Sequence, residues 1–229
     1  MVLVIILSYL FIFKTDFFIL SDIVIIGNKK LKYDSIVKAS NCNIGENIFK
    51  INTKKGQENL KLVPYVKDCK IKKQLPDKII IEIEERKEIA AIEYLEHLLY
   101  IDNEGYILEI DISKKDITLP IITGLNIVDY KEGSNIFQNN SIGNLKDFIV
   151  YGEYLNILSS IDEIDISNKE DINIELNNGT LIAFGPLNNV KYKLSFLNEI
   201  LKDIDNKNID AKQILFNKGE NPIIVIDNR

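Results

Sequence analysis

The chain has no tryptophan, a single histidine and only two cysteines among its 229 residues. Two cysteines, Cys42 and Cys69, are too few for the disulfide framework of a small secreted domain. They would either pair with each other or remain as two partly buried thiols. The one histidine, His97, limits nucleophilic catalysis, which needs a base, and zinc binding, which needs several His or Cys ligands. The sequence therefore predicts no catalytic, cofactor or metal site.

The chain also has fewer basic than acidic residues: 28 Lys and Arg residues and 34 Asp and Glu residues give a net charge of -6. Nucleic-acid binding needs a basic face that displaces counterions from phosphates, and no such face is visible. The 11 glycines are scattered singly, without the glycine-rich pattern that cradles a phosphate. These absences argue against nucleic acid and small-molecule substrates, and they leave proteins as the expected partners.

The first residues of the chain form a short apolar run. Residues 1–13 are uncharged and almost wholly apolar, and Lys14 and Asp16 then interrupt the run. A bilayer span needs about 20 apolar residues, whereas a signal-peptide core has about 7–15. No small-residue cleavage site follows, which favours an uncleaved membrane anchor over residues 1–16, and we expect its true start to lie further upstream. The alternative is a buried amino-terminal strand or helix.

Residues 17–88 predict a small α+β domain with the order strand, helix, helix, strand, strand. The first strand, "IVII", ends at Gly27-Asn28, two residue types that tolerate a positive φ in a turn. Asp34 is the predicted N-cap of the first helix. In the last strand, apolar residues alternate with mostly charged ones and predict one buried face. The alternating apolar residues are Ile79, Ile81 and Ile83.

Residues 89–229 predict a larger α+β domain with a mostly antiparallel sheet. Apolar residues at helical spacing predict helices at about 141–160 and 190–204. Asn178-Gly179 separates two alternating runs and predicts a hairpin with a type I′ turn. The chain then closes with two strands, "KQILF" and "PIIVID". The last strand, which begins at Ile223, either offers a free edge to a partner strand or lies inside the sheet with both neighbours supplied by the chain itself.

Short motifs spread along both domains resemble the FtsQ/DivIB family of bacterial cell-division proteins. In the first domain the matching residues are Ile23 to Asn28, Asn47-Ile48-Phe49, Pro64-Tyr65-Val66, Leu75-Pro76-Asp77 and Glu85-Arg86. In the second domain they are Ile101-Asp102 with Gly105, Leu119-Pro120 with Gly124, and Lys193-Leu194 with Leu197. The family's usual proline two residues after the arginine is replaced by Glu88, a departure confined to the domain junction. The order and spacing of the motifs carry the resemblance.

The resemblance implies a membrane anchor over residues 1–16, a POTRA domain over residues 17–88 and a β domain over residues 89–229. It also implies a single-pass membrane protein without enzymatic activity, most of which lies outside the cell membrane at the division septum. Its partners there would be small coiled-coil proteins of the FtsB/DivIC and FtsL types, with the septal peptidoglycan synthase downstream. The alternative is a POTRA-containing envelope or sporulation protein that acts as a transport or assembly docking module.

The resemblance also indicates where a partner would bind. In related proteins the strand before the last carries an Asp-Leu-Arg-aromatic motif near the partner site. Here the corresponding residues are Gln213-Ile214-Leu215-Phe216, so the aromatic residue carries over and the arginine does not. Aromatic residues commonly dominate protein interfaces. We therefore expect a binding anchor made of Phe216 and the apolar residues of the last strand, Ile223, Ile224, Val225 and Ile226.

Overall fold

The computed structural model describes residues 1–112, 118–128, 130–139, 144–218 and 221–226. The chain divides into two compact units, Met1–Arg86 and Lys87–Arg229. The first unit begins with helix α1, Val2–Lys14, followed by a 3₁₀ turn at Asp16–Phe18. No side chain of α1 is buried. Within the described residues, no helix has both the length and the apolar character that crossing a membrane requires.

The rest of the first unit has the predicted order of strand, helix, helix, strand and strand, which is confirmed. The elements are β1 (Asp22–Ile26), α2 (Tyr33–Ser40), α3 (Thr53–Leu60), β2 (Val66–Gln74) and β3 (Lys78–Glu85). Strand β3 lies in the centre of the sheet, parallel to β1 and antiparallel to β2. The three alternating isoleucines of β3 face the core with Ile36 of α2 and Leu60 of α3. Period-two alternation was therefore a sufficient signal for this strand.

The turn after β1 is built around a carboxylate from the end of β3. Gly27 adopts a φ of +95°, and the chain then curls so that three successive backbone N–H groups point the same way. Lys29, Lys30 and Leu31 donate them to the carboxylate of Glu85 at 2.8–2.9 Å. Successive amides of this kind make a concavity that binds an anion. The protein fills this concavity with its own side chain, which ties the start of the helical segment to β3.

Replacing Glu85 by glutamine is expected to lower the free energy of unfolding of the first unit by about 1–3 kcal/mol. The new amide nitrogen would present a donor to a backbone donor, and the charge that strengthens the remaining bonds would be lost. Glu84→Gln is the matched control, because Glu84 is exposed and its ion pair with Lys67, at 3.6 Å, joins two exposed side chains. Hydrogen exchange of β1 and β3 amides in the full chain measures both, and equal effects would contradict this account of the turn.

The second unit contains a nine-stranded sheet in the order β12-β11-β10-β9-β8-β7-β4-β5-β6. The strands are β4 (Ala90–Tyr94), β5 (His97–Ile101), β6 (Ile107–Asp111), β7 (Ile121–Thr123), β8 (Ile161–Asp165), β9 (Ile172–Leu176), β10 (Leu181–Gly185), β11 (Ala211–Leu215) and β12 (Ile223–Ile226). Neighbouring strands are antiparallel except for β4–β7, β7–β8 and β10–β11. The mostly antiparallel sheet is thus confirmed.

Helices cover one face of this sheet. They are α4 (Ile136–Asn139), α5 (Leu145–Tyr154) and α6 (Val190–Lys207). In β9 every second residue is buried and the residues between are exposed, so a single face carries the core. Phe148 of α5 and Leu194 of α6 are completely buried in that core. Helix α6 also connects β10 to the parallel strand β11, and this crossover leaves the outermost position of the sheet for β12.

Candidate protein-protein interface

The single histidine and the two cysteines are packed against other residues of the protein. The ring of His97, at the start of β5, packs beside Tyr130, whose hydroxyl lies 3.5 Å from His97 Nδ1. Cys42 and Cys69 are free and buried, and burial raises the pKa of both thiols, which keeps them protonated and weakly nucleophilic. Across the described residues, no group of three or more His, Cys, Asp or Glu side chains could hold a metal ion.

Strand β12 is the last strand at one end of the large sheet. It pairs antiparallel with β11, and Leu215 lies opposite Ile223 while Ile214 lies opposite Ile224. A bulge in β11 shifts the register between Ala211 and Gln213. Among the described strands, none pairs with the outer edge of β12. Of the two positions that the sequence left open for this strand, an edge or the inside of the sheet, the structure therefore has the edge. Asp227, the last residue of the predicted strand, lies outside the described residues.

All four residues of β12 are apolar and exposed. Ile223 and Ile226 are 49% and 50% accessible, and Ile224 and Val225 are 38% accessible each. Because successive side chains of a strand point to opposite faces, apolar surface is open on both faces of β12. No strand in the described part of the chain pairs with its outer backbone groups. An exposed apolar edge with free N–H and C=O groups is a template for another strand.

Two of the other sheet edges of the protein, at β6 and β2, are protected. At the opposite end of the large sheet, Ile107 in β6 exchanges backbone hydrogen bonds with a loop, donating to Ser134 at 2.9 Å and accepting from Gly133 at 2.7 Å. In the small sheet, the edge strand β2 carries four lysines: Lys67, Lys70, Lys72 and Lys73. Charged side chains and a covering loop are the usual ways to block an edge. Strand β12 has neither a charged side chain nor a proline.

Phe216 lies directly after β11, one residue beyond the Leu215–Ile223 pair, so the structure brings it to the same end of the sheet as β12. Its backbone N–H donates to the carbonyl oxygen of Ala183 at 2.9 Å, which continues the β10–β11 pairing. Its ring is half-buried and lies 5.8 Å from the ring of Phe184, which is itself completely buried. One side of Phe216 is thus held by the core and the other side is open.

Lys193 supports the candidate interface, a role that the sequence did not indicate, because Lys193 was noted only as part of a helix motif. Its Nζ donates to the carbonyl oxygens of Phe184 and Pro186 at 3.1 and 2.8 Å, and it lies 5.0 Å from the centroid of the Phe184 ring. Burial lowers the pKa of this ammonium group. The contacts attach α6 to the end of β10, and Lys193 and Phe216 both lie against the ring of Phe184. No local pattern in the sequence signals this, because it depends on where α6 crosses β10.

Comparisons with known proteins agree with this two-unit fold. Residues 18–86 match the family described as POTRA domain, FtsQ-type. The cell division protein DivIB of Clostridium tetani (strain Massachusetts / E88) is 33% identical over 211 residues, which cover 91% of this chain and 74% of the relative. The cell division protein DivIB of Clostridium botulinum (strain Loch Maree / Type A3) is 28% identical over 217 residues, covering 93% and 84%.

One further relative and one solved structure also match parts of the chain. The cell division protein FtsQ of Rickettsia bellii (strain RML369-C) is 30% identical over 164 residues, covering 69% of this chain and 57% of the relative. The major extracytoplasmic domain of DivIB from Geobacillus stearothermophilus aligns at 16% identity with a TM-score of 0.33, covering 54% of this chain and 97% of that one. Residues 90–229, more than half of the chain, match the family described as cell division protein FtsQ/DivIB, C-terminal, and the chain therefore belongs to the FtsQ/DivIB family.

Proposed function

We propose that this protein is a cell-division scaffold that binds a partner along the free edge of β12. The observation that carries the proposal is the unprotected apolar edge, with Phe216 beside it. The cell-division role is supported by the names of the relatives from Clostridium and Rickettsia. The partners are small coiled-coil proteins of the FtsB/DivIC and FtsL types, and through them the protein helps couple division to the septal peptidoglycan synthase. In this role the protein is not an enzyme.

The proposed arrangement places the chain across and outside the cell membrane. Residues 1–16 anchor it with the amino terminus inside, residues 17–88 form the POTRA domain, and residues 89–229 form the β domain that carries β12. The side chains of α1, none of which is buried and almost all of which are apolar, support the anchor, because removing such a surface from water is favourable. The bulk of the protein then lies on the extracytoplasmic side, at the division septum.

Binding at β12 would proceed by addition of a strand to the sheet. In a four-residue strand, alternate residues direct N–H and C=O outward, so about two residues offer about four backbone hydrogen bonds. Each such bond contributes about 0.5–1.5 kcal/mol net. The exposed side chains of β12 and the open side of the Phe216 ring add apolar burial, which distinguishes one partner strand from another. Phe216 is well suited as the anchor, because its ring is already held in place by Phe184 and loses little freedom on binding.

Phe216→Ala is expected to weaken binding to the external segment of the organism's own DivIC-like protein by more than about tenfold, or about 1.4 kcal/mol. The matched control is Phe196→Ala on α6, which removes another half-buried phenylalanine from the same core. Both variants lose packing, but only the first removes a ring beside β12. Calorimetric titration of residues 17–229 with the partner segment measures both, with circular dichroism to establish that each variant is folded.

Equal binding by the wild-type chain and the Phe216→Ala variant would remove this residue from the interface. No binding by a folded wild-type chain to a folded DivIC-like segment would refute the division partner. It would favour instead a POTRA-containing envelope or sporulation docking role with a different partner.

A further inference from the structure

Six aromatic rings form a continuous chain where α1 meets the rest of the first unit. They belong to α1, to the 3₁₀ turn at Asp16–Phe18, and to a loop at residues 47–50. Successive ring centroids are 4.9–6.5 Å apart, within the range of favourable aromatic pairs. In spatial order the rings are Tyr9, Phe13, Phe49, Phe18, Phe17 and Phe11.

A buried asparagine attaches the loop to the end of α1. Asn47 Nδ2 donates to the carbonyl oxygen of Ile12 at 2.7 Å, and Asn47 Oδ1 accepts the backbone N–H of Phe49 at 3.0 Å. The carbonyl of Ile12 belongs to the last turn of α1, where carbonyls have no partner within the helix. Ile19 pairs with Asn47 in an isolated β-bridge. One side chain thus satisfies a carbonyl at the helix end and also holds the backbone of Phe49.

The rings make an apolar surface that is open to solvent. Phe17 is 56% accessible and Phe49 is 41% accessible, and both are continuous with the exposed side chains of α1. Contiguous exposed apolar surface marks a contact with a partner or a membrane. A helix that docks in a protein groove is apolar on one side only, whereas α1 is apolar around its whole circumference. The surface therefore suits a lipid environment better than a groove.

Charge beside the rings also fits a lipid surface. The 3₁₀ turn contributes the acidic Asp16 and follows Lys14. The loop and the first turn of α3 lie in residues 46–55, which carry three lysines, Lys50, Lys54 and Lys55, against one acidic residue, Glu46. All three lysines are exposed. Lysine beside exposed aromatic and apolar side chains is the composition of segments that lie at a membrane surface, where the ammonium groups meet anionic headgroups.

We propose that the turn Asp16–Phe18 and the loop at residues 47–50 form a membrane collar, which lies in the headgroup region of an anionic phospholipid bilayer. The inference rests on the proposed membrane anchor and extends it, because it places part of the POTRA domain itself at the lipid surface. Phe17 and Phe49 enter the boundary between headgroups and acyl chains, and Lys50 remains at the headgroups. Asn47 holds the collar at the helix end, so the domain has one fixed orientation to the membrane.

The absence of tryptophan allows a direct test in the full chain. Phe49→Trp introduces a single tryptophan in the collar, whose emission can be excited apart from that of the tyrosines, and Phe17→Trp places a second probe on its other segment. Tyr33→Trp is the control, because Tyr33 is an exposed aromatic residue at the start of α2, outside the collar. Each variant is mixed with vesicles of phosphatidylcholine and phosphatidylglycerol, and its emission wavelength and its quenching by brominated lipid are measured.

The collar variants are expected to shift to shorter wavelength and to be quenched, whereas the Tyr33→Trp variant does neither. Omitting phosphatidylglycerol should weaken vesicle binding at least about fivefold, the effect of one lysine near an anionic surface. If the chain sediments with vesicles but neither collar probe responds, the collar is refuted and the anchor stands. If the chain does not sediment, both are refuted, and binding to the DivIC-like segment is unaffected. A concentration-dependent shift without vesicles would show that a second copy covers the rings, which also overturns the inference.

Discussion

Ile224→Pro and Val225→Pro are each expected to weaken binding of the DivIC-like partner by about a hundredfold, or about 2.7 kcal/mol, for two different reasons. Adjacent residues of a strand direct their backbone N–H groups to opposite sides. One of the two prolines therefore removes an N–H that bonds to β11, and the other removes an N–H that faces outward. The first loosens β12 from the sheet, and the second leaves the sheet intact while blocking the edge.

Hydrogen exchange of the β11 amides in residues 17–229 identifies which proline is which, and titration with the partner segment measures affinity. The informative variant is the proline that leaves β11 protected. If it binds as well as the wild-type chain, the partner does not pair with the backbone of β12, even if it contacts the side chains. Ile224→Thr is the side-chain control, because threonine keeps the β-branched shape and the N–H group. It should weaken binding by less than either proline.

Local sequence patterns predicted the elements of the first unit well, although the strand order in its sheet, β1-β3-β2, differs from the order in the chain. The alternating isoleucines of β3 are buried because β3 is the central strand of a small sheet with helices on one face. The predicted N-cap was wrong, since α2 begins at Tyr33 and Asp34 lies inside its first turn. That error is one of position only, because an acidic residue is favourable throughout the first turn of a helix.

The predicted helix at about 141–160 was too long at its end, and residues 141–143 lie outside the described ones. Helix α5 ends at Tyr154, after which Asn156 adopts a φ of +58° and the chain turns back. Leu158 then packs against Gly152, where an added Cβ would lie 2.8 Å from a Leu158 methyl carbon. The apolar spacing continued through this turn because both segments face the same core. The spacing of apolar residues indicates which side chains are buried, but here it did not indicate where the helix ends.

The hairpin between β9 and β10 was predicted in the right place with the wrong turn. A type I′ turn needs a positive φ at both central residues, but Asn178 is not in that region and only Gly179, at +82°, is. Gly179 donates to Leu176 O at 2.8 Å and Leu176 donates to Thr180 O at 3.0 Å, which is a three-residue loop with a glycine bulge. Both turns place glycine last, so the sequence alone does not distinguish them.

The sequence indicated which residues belong to the candidate interface, but it did not indicate that their strand lies at the edge of the sheet. Phe216 and the residues from Ile223 onward were identified from a motif and a terminal apolar run. Whether that run lies at an edge depends on the parallel pairing of β10 with β11, which is set by the crossover through α6. The contacts of Lys193 depend on the same crossover. Such long-range pairings have no local signature, because they are decided by the packing of α6 on the sheet.

Gly27→Ala is expected to destabilise the first unit by at least about 3 kcal/mol, because it combines two costs. A non-glycine residue at a φ of +95° is strained by about 1–2 kcal/mol. In addition, the new Cβ would lie 2.1 Å from the carbonyl oxygen of Ile83, a backbone atom of the central strand that cannot move without breaking the sheet. The glycine at the end of β1 is thus explained, since the turn that delivers amides to Glu85 passes close to the backbone of β3.

Gly45→Ala separates the two costs. Gly45 has nearly the same φ, +92°, but an added Cβ would meet no atom within 4 Å. This variant should therefore lose only the backbone term of about 1–2 kcal/mol. Hydrogen exchange of β3 amides in the full chain, measured in the same buffer, gives the loss in free energy of unfolding for both variants. A Gly27→Ala variant no less stable than Gly45→Ala would mean that the turn can move away from β3, and the Glu85 carboxylate would then not be the contact that holds it.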